Sequence, residues 1–274
     1  MQALPFAIAL LAAAALASPL ARGMGDGGFT RENYRGRALA FPFGALVPAA
    51  AFAALVPVAL LARFVDGKVL PDDLAAVLIF VTGVAVLGLI DDTLSGPSRG
   101  WRGHGAAVLR GGFSTGALKA VGTLGLALLV ASGLAVGDGA FLLAAAVLVL
   151  ATNLFNLLDL RPGRSVKAFV LLGAGLTLGS LDAGPLAALG LFAAPVLVAG
   201  LYDVRERAML GDTGSNLIGA LAGLWLVLTL DTTGQAIALV LLAAITAYGE
   251  FRSISAFVER TPVLRHLDSF GRPA

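Results

Sequence analysis

Cysteine is absent from the 274 residues, and histidine occurs only at His104 and His266. The first absence excludes disulfides, thiolate metal sites and cysteine nucleophiles, and leaves the redox compartment open. The second makes a histidine-built metal site a poor expectation. Charge is scarce too: Asp, Glu, Lys and Arg make up 13% of the chain, against roughly 25% in a soluble domain. In their place stand hydrophobic residues, at 58%, and 35 glycines. That composition predicts a membrane protein. No polar block is long enough to fold separately, so residues 1–274 are read as a single integral domain.

Charge-free stretches run over 1–21, 38–62, 74–90, 120–137, 139–158, 168–181, 183–202, 213–230 and 232–249. A helical span needs about 20 mostly apolar residues, with a range of roughly 17 to 25. Eight runs qualify, and the short run 168–181 is kept because Lys167 can snorkel at its end. The runs are continuous and do not alternate as barrel strands do, so helices are the expected spanning form. Abundant Gly and Ala suit close helix packing in lipid. The sequence therefore predicts an all-α polytopic membrane bundle of about nine transmembrane helices.

Orientation follows from the basic residues. No Lys or Arg precedes the first run, which argues against a secretory signal despite the small residues of "ALASPLA". With the N-terminus outside, every Lys and Arg except Arg63 and Lys68 falls in an odd-numbered loop or the C-terminal segment, and the positive-inside rule makes those segments cytoplasmic. Residues 250–274 read as a short amphipathic cytoplasmic helix broken at Pro262. The basic residues are scattered among short loops without interleaved aromatics, so nothing points to nucleic acid as a partner.

In that topology three carboxylate clusters share one depth. Asp91 and Asp92 end the third span, Asn153, Asn156 and Asp159 end the fifth, and Asp212 begins the eighth. Singly, each has an ordinary reading: a solvated boundary residue, a polar helix end, or, for Asp212, the N-cap of its own helix. Together they offer hard oxygen ligands to Mg²⁺, which is usually held by one or two carboxylates and substrate phosphates. The turn Gly211-Asp212-Thr213-Gly214-Ser215 opens a helix and is expected to present N–H groups to phosphate oxygens. Loop cations could add phosphate contacts.

Three motifs carry a resemblance. "GLIDD", "NLFNLLD" and "GDTGS" are similar, in that order and on one membrane face, to the motifs of the polyprenyl-phosphate N-acetylhexosamine-1-phosphate transferases, the family that includes phospho-MurNAc-pentapeptide translocase and GlcNAc-1-phosphate transferases. The basic loop "ENYRGRALAFPFGA" is similar to the family's first cytoplasmic loop. The resemblance covers roughly residues 30–270. It implies a Mg²⁺-dependent enzyme, with Mn²⁺ as a substitute ion, in the bacterial cytoplasmic membrane. The implied partners are a polyprenyl phosphate and a UDP-N-acetylamino sugar, and a homodimer is compatible with the family. The lipid phosphate displaces UMP from the UDP-sugar. By resemblance Asp212 is the foremost metal ligand. Asp91 and Asp92 bind metal or lipid phosphate, and one of them acts as base. Asp159 joins the catalytic set. Lys119, in "TGALKAVG", holds a phosphate or anchors its helix. Arg35, Arg37, Arg161, Arg164, Asn153, Asn156, Gly211, Thr213, Gly214 and Ser215 are the expected substrate contacts.

The chain also departs from the family. Pro162 replaces a second carboxylate after Asp159, Ser95 stands where a third acid follows the aspartate pair, and only Arg265 and His266 stand near a histidine-rich motif. Two other readings follow: a catalytically degenerate member that binds a lipid-linked intermediate or a partner protein, and a transporter. The transporter fits less well, because such proteins place acids near the bilayer midplane and here every acid lies at or beyond a span end.

Overall fold

The computed structural model describes residues 3–65, 67–94, 114–134 and 137–273; Ser95, Arg99, Arg102, His104 and Arg110 lie outside them. Nine helices fall on the nine charge-free runs: α1 Leu4–Asp26, α2 Leu46–Phe64, α3 Leu74–Leu94, α4 Thr115–Leu134, α5 Asp138–Leu158, α6 Arg164–Ser180, α7 Gly184–Val204, α8 Gly211–Thr229 and α9 Thr232–Phe251. Among the described residues seven helices are long and apolar enough to cross a membrane: α1, α2 with the short turn before it, α3, α4, α5, α7 and α9. The two others differ for separate reasons. Helix α6 has 17 residues, matching the short sixth run. Helix α8 begins with the polar stretch Gly-Asp-Thr-Gly-Ser-Asn.

Helix α8 is the central post. Every residue from Thr213 to Leu226 is buried, as in a helix packed on all sides, and α3, α5, α6 and α7 surround it. Glycine makes the approach close: a side chain at Gly219 would run into the backbone of Thr152 on α5. On the α6 side the Phe169 and Trp225 rings meet edge to face at 5.5 Å.

The helical bundle carries one short sheet. Between α1 and α2 the basic loop folds into an antiparallel hairpin, β1 Thr30–Glu32 and β2 Ala38–Ala40, with Thr30 opposite Ala40. Asn33 and Gly36 make the turn: Asn33 Oδ1 accepts from the N–H groups of Arg35 (2.9 Å) and Arg37 (3.0 Å), and Gly36 adopts φ 72°. This is the turn chemistry that favours these two residue types. The run 38–62 therefore becomes regular helix only at Leu46, after β2, Pro42 and a 3₁₀ turn at Phe43–Ala45.

After α9 the chain breaks as expected, into α10 Ile254–Arg260 and α11 Pro262–Ser269, with Pro262 in the first turn of α11. At that position its missing N–H costs no hydrogen bond.

Candidate functional site

The site is built on the first turn of α8. Gly88 lets α3 lie against that turn, since a Cβ there would come 2.5 Å from the carbonyl oxygen of Asp212. One turn later along α3, Asp92 reaches the helix end. Its Oδ1 accepts from the Asp212 N–H (2.9 Å), and its Oδ2 accepts from the Thr213 N–H (2.8 Å) and the Thr213 hydroxyl (2.7 Å). The N–H groups that the sequence offered to phosphate are thus taken, at Asp212 and Thr213, by a carboxylate from another helix. Asp212 does not cap its own helix; Asp92 performs that task from α3. Gly211, at φ 71°, has no room for a Cβ, which would meet Asp92, Phe41 and Pro42. Gly214 lies against the backbone of Gly44, where a Cβ on Gly44 would fall 2.2 Å from the Gly214 nitrogen.

Freed from capping, the Asp212 side chain turns toward α4. Lys119 Nζ donates to Asp212 Oδ2 (2.5 Å) and to Asp91 Oδ2 (2.7 Å). Asn156 on α5 completes the group when its amide is oriented to satisfy its neighbours, which turns the nitrogen to Asp212 Oδ1 (3.2 Å) and the oxygen to Lys119 Nζ (2.9 Å). All three ammonium donors of Lys119 then have partners. Four helices meet in this cluster. Asp212 is the more open carboxylate, its side chain 32% exposed against 13% for Asp91.

Beside the cluster opens a cleft of about 190 Å³, with Asp92, Asp159, Asp203 and Asp212 on its wall together with Arg31, Tyr34 and Arg161. Arg31 donates to the Asp92 carbonyl (3.2 Å) and lies over the Phe41 ring. Arg161 stacks on Tyr34 and reaches Glu259 at 3.5 Å. Asp159 accepts from Ser165 (3.0 Å). Burial, reinforced by the nearby Asp203 carboxylate, pushes the Asp159 carboxyl well above the ordinary range despite the Ser165 hydrogen bond.

The remaining expected residues spread outward. Asn153 is exposed and shares a groove with Lys119, between α4 and α5. Ser215 is fully buried, 3.3 Å from Asn156. Arg164 is buried and bound to Asp268 through two nitrogens (2.9 and 3.1 Å) and to Ser255 (3.1 Å). Arg35 and Arg37 stand over Glu206, at 3.4 and 3.9 Å.

Two acids absent from the sequence reading organise this end of the bundle. Asp203 accepts from the Gly163 N–H (2.5 Å) and from the Leu210 N–H (3.4 Å), tying the loops before α6 and α8 together. Glu206 accepts from Asn33 and Tyr34, both at 3.0 Å, and pins the hairpin. Both stand in "YDVRER", where their alternation with basic residues was the available signal. Arg31, Tyr34 and Phe41 on the cleft wall carried no such local mark.

No protein-family model matches the chain, and no curated protein matches it.

Proposed function

We propose that the protein transfers an N-acetylamino-sugar-1-phosphate from a UDP-sugar to a polyprenyl phosphate such as undecaprenyl phosphate, with release of UMP. The observation that carries this reading is the meeting of Asp91, Lys119, Asn156 and Asp212 beside a cleft that bears Arg31 and Arg161. A new bond joins a lipid phosphate oxygen to the sugar-bearing β-phosphorus. The bond from that phosphorus to the bridging oxygen breaks, and UMP departs with its electron pair. Such a transfer needs positioning and charge stabilisation more than covalent help from the protein.

Each residue has a part in this reading. Lys119, held by two carboxylates and an amide, turns to a phosphate oxygen. Arg31 and Arg161 hold the nucleotide's phosphates in the cleft. Asp92 keeps the first turn of α8 in place, and Asp91 accepts the proton of a lipid phosphate that arrives protonated. Among the described residues no three acidic or histidine side chains form a group able to hold a metal alone. The carboxylates of Asp212 and Asp91 nonetheless suit Mg²⁺ or Mn²⁺, with the remaining ligands from diphosphate and water. Such an ion supplies neutralisation of the diphosphate charge. In the same reading all of α1 to α9 cross a bacterial cytoplasmic membrane, the N-terminus lies outside and the site faces the cytoplasm.

One observation favours a second reading. Lys119 already neutralises Asp91 and Asp212, and Pro162 stands on the cleft wall in place of a carboxylate. A protein so arranged would hold a lipid-linked diphosphate without turning it over. Purified protein incubated with Mg²⁺, undecaprenyl phosphate and, in turn, UDP-GlcNAc, UDP-GalNAc and UDP-MurNAc-pentapeptide separates the two. UMP release with one of them supports the transferase; lipid binding with no UMP from any supports the binder.

A further inference from the structure

At the end of the bundle where α5 and α9 stop and α6 starts, α10 and α11 fold back and leave a groove of about 300 Å³. Its walls are apolar, formed by Leu171 on α6, Ile245 on α9, and Ile254, Phe257, Leu264 and Leu267 beyond. Arg164, Lys167 and Asp268 form its polar rim. The outer faces of α6 and α9 next to it present Leu171, Leu178, Ile237, Val240 and Leu241, all more than half exposed. Among the described residues seven helices, α9 included, are fit to cross a membrane, and apolar faces of this kind suit hydrocarbon. The groove is thus continuous with lipid-facing surface.

Charge at the rim is unbalanced. The Asp268 carboxylate takes two N–H groups from Arg164 (2.9 and 3.1 Å) and two from Arg272 (2.8 and 3.1 Å). Lys167 Nζ donates to the Asp268 backbone carbonyl (2.7 Å), a neutral acceptor. Asp203, the other carboxylate that acts on Lys167 and Arg272, accepts from the Gly163 and Leu210 N–H groups, so three cations stand against two carboxylates, and the two guanidinium groups already saturate Asp268. Lys167 makes one such bond and has three donors to give. An anion at the mouth of an apolar groove answers both features.

We propose that the groove binds an acyl chain of an anionic glycerophospholipid, with the lipid phosphate on Lys167. The bound lipid fastens α10 and α11 to α6. It also steadies the wall of the cleft, because Arg272, bound to Asp268, donates to the carbonyl of Pro162 (2.9 Å).

Native mass spectrometry of the purified full chain, titrated with phosphatidylglycerol or phosphatidylcholine, tests the site. Phosphatidylglycerol should bind the wild type at least tenfold more tightly. Lys167→Gln should weaken its binding about tenfold, the order of one charge-assisted contact to an anion. Arg265→Gln, which removes an exposed cation outside the groove, should leave binding unchanged. Equal binding of the two lipids, or retention of the preference in Lys167→Gln, overturns the proposal. If Lys167→Gln does not fold, photocrosslinking of the wild type with a diazirine-bearing phosphatidylglycerol decides: labels concentrated in residues 164–171 and 254–268 support the site, and labels elsewhere refute it.

Discussion

Lys119 on α4 donates to Asp212 on α8 across 2.5 Å. The bond closes a circuit of four helices, because the same ammonium holds Asp91 on α3 and Asn156 on α5. The lysine thus prevents repulsion between the two carboxylates.

Removing it should therefore destabilise the bundle. Lys119→Met leaves Asp91 and Asp212 unpaired and is expected to cost about 3 kcal/mol, the order for breaking one side of a largely buried ion pair. The double variant Lys119→Met with Asp212→Asn should recover part of that loss, with a coupling of about 1–2 kcal/mol. Unfolding of the single and double variants in one detergent measures both; strictly additive losses would contradict the contact.

The cap on α8 gives a second expectation. Asp92→Ala removes three accepted hydrogen bonds and leaves the Asp212 and Thr213 N–H groups unpaired, at an expected cost of about 2 kcal/mol. Thr213→Val removes one of the three and should cost about 1 kcal/mol. Hydrogen exchange at the first amides of α8 should accelerate in both variants, and more in Asp92→Ala.

Close approach at Gly88 gives a third. Gly88→Val places side-chain atoms where the Asp212 carbonyl now lies, and overpacking of this kind costs about 1–3 kcal/mol. The variant should lose turnover more completely than stability, because the shift falls on the turn that aims Asp212. Near-wild-type UMP release from a folded Gly88→Val protein would contradict this placement.

Acid should loosen the C-terminal latch. Burial pushes the Asp268 carboxyl up, but hydrogen bonds from Arg164 and Arg272 and their charges more than offset it, and the group ends below the ordinary carboxylate range. A carboxyl depressed on folding contributes stability that is present above its unfolded pKa of about 3.9 and is lost as pH falls through the folded value. Proteolysis within residues 252–273 should therefore rise as pH falls below about 4. In Asp268→Asn that segment should be cut readily at neutral pH, with the acid dependence gone.

Particular residues show what the sequence disclosed. Long charge-free runs located α1 to α9, because apolar length is a local property, and the shared depth of Asp91, Asn156 and Asp212 followed from counting spans. The task of Asp92 was hidden, since a carboxylate that caps a helix 120 residues away leaves no trace in local spacing. Asp203 and Glu206 stand in a charged stretch that marks them as polar, but their partners lie on loops at 163 and at 33–37, which local sequence does not show. The pairing of Arg164 with Asp268 on α11 joins residues 104 positions apart, which local spacing does not show. The hairpin at 30–40 was obscured by the uncharged residues of β2, which read as the start of a span.

The most direct test measures UMP release by Asp212→Asn beside the wild type, with Mg²⁺, undecaprenyl phosphate and the UDP-sugar that supports the highest rate. The account predicts that the wild type releases UMP, that chelation of the metal stops it, and that folded Asp212→Asn loses roughly a hundred- to a thousandfold in rate, on the order of removing a main charge stabiliser of the transition state. A folded Asp212→Asn protein that releases UMP at close to the wild-type rate would contradict it.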